Sequence, residues 1–497
     1  MFSKVRLEKN RKLLTYNFTN IGSDSLYEHL YKCIRNDILE GNLKSMEKLP
    51  SKRAFAKNLG ISVITVENAY EQLIAEGYVY SIPKKGFYVS DLKEAGMPEK
   101  GRSESLLTAG RTAETLEKTS FWLADFVSNQ TDSRIFPFTI WAKTMREVLS
   151  NCQNQLMVNA PCGGILELRA AIAEYLGEFR GMRVGADQIV VGAGTEYLYG
   201  LLIQLLGKDL VYGVEDPGYP KIGKIYQSMK VACKFLPMDA DGVRTDVLEK
   251  EKVDVMHLSP AHHFPTGTVM PISRRYELLG WAARQPERYL IEDDYDSELR
   301  LSGRPIPTLQ SIDVADKVIY INTFSKTLAS TVRISYMVLP PSLTERFYRE
   351  LSFYSCTVSN FEQYTLAAFM RNGSFEKHIN RLRNYYQHKR DAILGEFEKG
   401  ELGKHVTILE EEAGVHFLMQ VKTDRAEEEI LSRAQKLGIR LAPLSGYFAA
   451  GEAILTAADG SAGRTAGEAE NIYVMNYSSI DPEWIEKIAA ALYRAIV

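Results

Sequence analysis

The 497-residue sequence is poor in cysteine, holding five, and Cys33, Cys152, Cys162, Cys233 and Cys356 are scattered with none at metal-ligand spacing. That pattern excludes a disulfide scaffold and a cysteine-built zinc module, and reads as reduced thiols. There is no apolar run long enough to span a bilayer, and the N-terminus, Met-Phe-Ser-Lys-Val-Arg, lacks the apolar segment of a signal peptide. The expected location is the cytoplasm. Repeats are absent, and the apolar, charged and aromatic fractions are those of an ordinary globular protein, which excludes disordered and fibrous classes. At this length the chain exceeds one typical domain, and two or three are expected.

A dominant charge is also missing, since the net value is −3. The near balance hides an asymmetry. Residues 1–90 carry 14 Lys and Arg against 9 Asp and Glu, and the remainder carries 46 against 54. A mildly basic arm on an acidic body points to a polyanion partner for the arm.

The arm reads as helices. Leu26, Leu30, Ile34 and Ile38 recur at four-residue spacing in an amphipathic helix, Ser25–Glu40, capped by Asp24 or Ser25 and stopped by Gly41. A second helix is expected over Ser51–Leu59, then a tight turn, Gly60-Ile-Ser62, then a third helix, Val63–Glu76, with Val66, Ala69, Tyr70, Leu73 and Ile74 on one side. Two short strands, Tyr78–Ser81 and Gly86–Ser90, flank a basic tip, Ile82-Pro-Lys-Lys85. Helix, short glycine turn and helix form the helix-turn-helix pattern. The motifs Leu49-Pro-Ser-Lys-Arg53, Leu59-Gly-Ile-Ser62, Thr65-Val66, Ala69-Tyr70 and Glu76-Gly-Tyr78 resemble the winged helix of the GntR family of bacterial regulators over residues 22–90. The resemblance implies DNA contacts from Ser51, Lys52, Arg53, Ser62, Thr65, Lys84 and Lys85. One departure stands out: the family usually places arginine after the serine of the turn, and here it is Val63, with no Lys or Arg in 63–75. With few phosphate contacts, a single winged helix should bind weakly and with a shallow salt slope.

Residues 91–120 are rich in Lys, Glu, Gly, Ser and Thr and read as a linker, with a brief helix at 113–118. From Phe121 apolar strands alternate with helical stretches, which implies a mainly parallel sheet covered on both faces. Strands are expected at 188–191, 210–214, 253–258, 289–291, 318–321 and 334–338, with helices at 166–179 and 195–206. From about residue 360 the texture changes to long charged helices, 376–397 especially, and a smaller α+β part closes the chain with a strand at 472–477 and a helix at 482–496.

Three stretches of this larger region carry chemistry. Lys326 lies in a hydroxyl-rich turn between two apolar strands, where burial lowers a lysine pKa and makes the neutral amine available for Schiff-base formation. Asp293 ends the apolar strand Tyr289-Leu-Ile-Glu-Asp, and a carboxylate there could hold a pyridinium nitrogen. Gln188-Ile-Val-Val-Gly-Ala-Gly-Thr-Glu is a strand, a glycine turn and a helix start, which offers backbone amides to a phosphate. In this order the pieces resemble the fold-type-I pyridoxal 5'-phosphate (PLP) enzymes of the aspartate aminotransferase superfamily over about 121–497. Glu292-Asp-Asp-Tyr295, Thr323-Phe-Ser-Lys326 and Val214-Glu-Asp-Pro-Gly-Tyr219 are the tightest motifs.

That resemblance assigns Lys326 as the catalytic, cofactor-bonding lysine, Asp293 as partner of the ring nitrogen and Tyr295 as donor to the ring hydroxyl. It assigns Ala193, Gly194, Thr195 and Glu196 to the phosphate cup with Thr323, Ser325 and Arg333, and Tyr219 to the ring face. His262 and His263 precede Phe264-Pro-Thr-Gly267 where aminotransferases usually have Asn-Pro-Thr-Gly. With no Cys or acid at ligand spacing no metal is expected, and His262 is preferred as a cofactor neighbour. Two further departures are the Ala-Ser-Thr-Val before Arg333, where Pro and Gly are usual, and the lack of a carboxylate-gripping arginine on strand 472–477. Arg440 and Arg464 are candidate substitutes.

The combination resembles the MocR type of regulators, also called the GabR type: residues 1–90 a winged helix, 91–120 a linker, 121–497 an aminotransferase-like unit with a large part to 359 and a small part from 360. It implies a homodimer with no membrane partner, binding DNA upstream of a target gene and sensing an amine or amino compound by aldimine exchange at Lys326. The alternative is a working aminotransferase with an accessory N-terminal domain.

Overall fold

The structure, a computed structural model, describes residues 14–16, 18, 25–91, 122–128, 130–301, 306–410, 414–449 and 469–497. The chain divides into two compact units, 1–119 and 120–497. The helix expected at 113–118, with all of the expected linker except Asp91, lies outside the described residues.

In the first unit α1 spans Leu26–Leu39, α2 Lys52–Leu59 and α3 Val63–Ala75. Each begins on a serine. The Glu28 carboxylate accepts from Ser25 N at 2.9 Å, and Ser51 and Ser62 accept from the amides of Ala54 and Thr65 at 3.3 and 3.0 Å, satisfying donors that a helix start leaves open. Gly60 closes α2 at φ +69, a left-handed conformation that suits glycine and turns the chain sharply into α3. Leu30, Ile34, Phe55, Val66, Tyr70 and Leu73 bury their side chains together with Val79 and Val89 of a hairpin, β1 Val79–Ile82 and β2 Gly86–Val89. At roughly 1.5–3 kcal/mol for each large apolar side chain fully buried, this small core holds three helices and a wing together.

The second unit is built on an eight-stranded sheet. Its strands are β4 Ile189–Gly192, β5 Val211–Asp216, β6 Ala232–Asp239, β7 Gly242–Val243, β8 Val255–Leu258, β9 Tyr289–Asp293, β10 Val318–Thr323 and β11 Ser335–Val338, with the two-residue β3, Ala124–Asp125, elsewhere. The order is β4-β11-β10-β9-β8-β5-β6-β7, parallel from β10 through β6. β11 runs antiparallel to both neighbours, and β7 antiparallel to β6. The central strands are buried throughout, the pattern of a sheet covered on both faces. Helices α4 Phe138–Asn151, α5 Leu166–Arg180, α6 Thr195–Leu206, α7 Pro220–Ser228, α8 Ile272–Ala283 and α9 Pro341–Leu351 accompany it.

The C-terminal part has a four-stranded antiparallel sheet ordered β12-β13-β16-β15. These are Val406–Leu409, His416–Val421, Ile472–Asn476 and Ala442–Pro443, with β14 Ile439–Arg440 pairing in parallel with β3. Helices α10 Asn360–Arg371, α11 Ser374–Phe397, α12 Glu427–Lys436 and α13 Ile485–Ile496 complete it. The expected division at residue 360 is crossed in both directions. Leu366 and Phe369 of α10 bury against Ile189, Val191 and Tyr336 of the large sheet, while Ala124 and Phe126 join Phe417 and Tyr477. Tertiary packing decided this, because α10 is apolar on the face that meets the large core. No helix among the described residues is long and apolar enough to cross a membrane.

Candidate functional site

The turn between β10 and β11 is pinned by its own hydroxyls. Thr323 Oγ1 donates to Ser325 Oγ at 2.9 Å, Ser335 Oγ donates to Thr323 Oγ1 at 2.8 Å, and Phe324 N donates to Ile334 O at 2.9 Å. Lys326 follows, its amine in a cavity of about 380 Å³ at the carboxyl ends of the strands. Loss of water pushes that amine down to about 8, against the opposing pull of the Asp296 carboxylate.

Parallel pairing of Ile321 with Asp293 brings the end of β9 beside the lysine turn. Tyr199 Oη donates to Asp293 Oδ2 at 2.6 Å, His257 Nε2 lies 3.4 Å from the same oxygen, and Tyr226 Oη is 2.9 Å from His257 Nδ1. Asp293 Oδ1 is buried with no partner. A buried carboxylate oxygen left unpaired is costly unless a ligand donates to it.

The glycine turn behaves partly as expected. Gly194, at φ +94, precedes the first turn of α6, and a Cβ there would overlap the Arg333 guanidinium. Glycine is therefore favoured for its backbone, and a side chain there would also have to displace the Arg333 guanidinium. The first amides of α6, at Thr195 and Glu196, have no intrahelical partner by construction. The Ala193 amide instead donates to Thr357 Oγ1 at 3.0 Å, and Ala193 does not line the cavity. Arg333, itself at φ +52, pairs with Glu196 at 2.7 Å, and Glu196 also binds Lys221. The Glu196 side chain thus restrains the arginine while its backbone belongs to the helix start.

Of the expected cofactor residues, Gly194, Thr195, Glu196, Tyr219, Asp293, Tyr295, Thr323, Ser325, Lys326 and Arg333 line the cavity. Tyr219 stands at its rim, 46 % exposed and edge-on to Phe264 with ring centres 5.8 Å apart. His262 is one layer back and His263 takes the wall. The His263 ring bonds Thr266 Oγ1 at 2.7 Å and faces Glu215 at 3.5 Å. Burial drives that histidine down to about 3 and the acid up to about 8, so both are neutral near pH 7. His262 Nδ1 is 2.9 Å from Asp296 Oδ2 and 3.5 Å from Tyr295 Oη, and its ring lies 4.7 Å from that of His416, tilted by 32°.

Tyr199, His257, Asp296 and His416 were not singled out by the sequence. Tyr199 follows Thr195 by one helical turn, and Asp296 ends the acidic run that holds Asp293, so both had a local signal; His257 and His416 had none. Asp296 supplies the acid that sequence spacing lacked near the histidines, and ligand atoms of His262, Asp296 and His416 lie within 4.8 Å of one another. The charge of Lys326 also reaches His416, and a metal ion would compete with that amine, so the cluster is read as the lysine's surroundings. Arg440 pairs with Asp125 at 3.2 Å and does not line the cavity, and Arg464 lies outside the described residues.

In the first unit Arg53, Lys84 and Lys85 are exposed, as are the capping residues Ser51 and Ser62. Thr65 is half-buried, its hydroxyl 2.8 Å from that of Ser62. Lys52 differs from the rest, since Glu67 holds its amine at 2.6 Å and the Phe87 ring lies 5.5 Å away, so it ties α2 to α3.

The pattern of the bacterial regulatory proteins of the gntR family matches residues 26–89, and that of aminotransferase class I and II matches residues 125–445. The uncharacterized HTH-type transcriptional regulator YdeL of Bacillus subtilis (strain 168) is 39% identical over 424 residues, 84% of this chain and 89% of that protein. The probable rhizopine catabolism regulatory protein MocR of Rhizobium meliloti is 32% identical over 434 residues, 85% and 87% of the two chains. The chain belongs to the MocR-type regulators. Its second unit has the fold of Pyrococcus horikoshii kynurenine aminotransferase, with a TM-score of 0.62 at 22% identity over 81% of this chain and 97% of that one.

This MocR-type chain is thus a DNA-binding regulator fused to an aminotransferase-like unit, and PLP is the cofactor of that unit. Its residues fit the group: Asp293 Oδ1 is buried without a partner, the amides of Thr195 and Glu196 open α6 beside the cavity, and Lys326 offers an amine. When bound, PLP supplies an aldehyde that bonds a primary amine and a ring that withdraws electrons from it.

Proposed function

We propose that this MocR-type regulator senses a small amine or amino compound at Lys326 and changes its hold on DNA upstream of a target gene in response. The observation that carries the reading is the Lys326 amine, held near pKa 8 in a cavity of ligand size on a chain that also bears a winged helix. Lys326 has to be displaced by an incoming amine, which a partly neutral lysine permits. Asp293, braced by Tyr199 and His257, orients the ring from one side. Burial keeps His416 neutral, with Nε2 unpartnered at the cavity wall, where a ligand can meet it.

The proposal includes a homodimer formed through the aminotransferase-like unit. Met157, Val158 and Phe353 are 74 %, 65 % and 75 % exposed, and Asn360 donates to the Val158 carbonyl. A partner covering these side chains would remove apolar surface from water.

The test is an absorbance titration of the purified holoprotein with candidate amines, read beside binding to its own upstream DNA. An amine that shifts the spectrum and also changes DNA affinity or footprint supports the regulator. Steady transamination at about 1 per second or faster, with no footprint at low salt, identifies a working aminotransferase instead, a reading favoured by the complete set around Asp293.

A further inference from the structure

Helix α3 carries no Lys or Arg, and its first two residues, Val63 and Ile64, are exposed apolar side chains. Val63, 41 % exposed, opens the row that Val66, Tyr70 and Leu73 continue into the core, and Ile64, 68 % exposed, lies on the opposite, outward face. Ile64 could have been polar at no cost to that core. One turn on, the exposed Asn68 continues the same face, and the neighbouring acid, Glu67, is drawn aside by Lys52. The neighbouring elements carry exposed cations, Arg53 and Lys57 on α2 and Lys84 and Lys85 in the wing. An uncharged apolar helix start on a unit with exposed cations complements a duplex groove, where phosphates rim a floor of base edges.

We infer that the first turn of α3 reads thymine, with Val63 and Ile64 packing against C5-methyl groups in the major groove and Asn68 facing adenine on the same stretch. In the major groove only thymine presents a methyl, and apolar side chains discriminate it by contact, while Asn can pair with adenine N6 and N7. The residues at the N-terminus of a recognition helix are the ones that reach base edges. The inference rests on the assignment of the first unit as DNA-binding and adds the base that it selects.

The experiment starts with selection of bound duplexes from a randomised library by the full-length holoprotein. Each selected thymine is then replaced by uracil, which keeps Watson–Crick pairing and removes only the methyl. Wild type should lose about fourfold in affinity per contacted methyl, the worth of one buried methyl-sized group. Ile64→Ala and Val63→Ala should each bind the thymine site more weakly and lose the uracil penalty at their own position, with cofactor absorbance and melting temperature unchanged. Uracil sites bound as well as thymine sites by wild type overturn the inference, and this arm needs no variant to fold. So does a uracil penalty that persists in both variants, which places the methyl contact elsewhere. Failure to select any site overturns it together with the DNA-binding assignment.

Discussion

A lysine near pKa 8 behaves unlike a surface lysine, and the difference is measurable. Its folded value lies below the ordinary 10.5, so the neutral amine is about one-tenth populated at pH 7 and predominates above pH 8. Cofactor loading onto apoprotein is expected to accelerate about tenfold per pH unit below 8 and level off above it; stopped-flow absorbance would show this, and a plateau reached only near pH 10 would refute the shift. Lys326→Ala should lose the visible absorbance of the holoprotein and keep its fold, and borohydride reduction with peptide mapping should label Lys326. Label on another lysine would remove the assignment. Asp293→Ala should weaken PLP binding roughly 10-fold to 100-fold, and Tyr295→Phe less than about 10-fold, since a bond to a charged group outweighs a neutral one. Equal losses in a PLP titration contradict that division of roles.

At the scale of elements, α2 presents two cations that the sequence treats alike and the structure separates. Arg53 is exposed, whereas Lys52 is held by Glu67. Arg53→Ala should flatten the salt slope of DNA binding by about one ion if it holds a phosphate, or cost roughly 1–3 kcal/mol at one base pair if it reads a base edge. Lys52→Ala should change the slope less and leave PLP spectra untouched. Binding isotherms at several salt concentrations distinguish the two, and a larger effect at Lys52 would show that its pairing with Glu67 opens on DNA.

For the whole molecule the expected solution species is a homodimer of the 56.1 kDa chain. Light scattering of the holoprotein at twice that mass agrees with it, and a PLP-loaded monomer contradicts it. Two winged helices on one dimer would compensate for the few phosphate contacts of each through effective concentration. Coupling between amine and DNA must be reciprocal: whatever factor an effector applies to DNA affinity, DNA applies to effector affinity.

The order of the pieces was legible in the chain because each is written locally. Serine caps, the Gly60 turn, the apolar runs of the sheet and the residues around Lys326 and Asp293 are short-range patterns, and they suffice for winged helix, parallel-rich sheet and cofactor lysine. Which groups meet across the fold was not. His416, on the second sheet, reaches His262 and the cavity from more than a hundred residues away in sequence. Tyr226 reaches Asp293 through His257, and Ala193 loses its amide to Thr357. Lys52 and Arg53 are adjacent in sequence, yet only the packing of α2 on α3 gives one of them an internal partner. Sequence patterning sets which side chains are buried and which turns form, because those depend on neighbours along the chain. The assembled fold decides which buried polar atoms are satisfied, because that depends on neighbours in space.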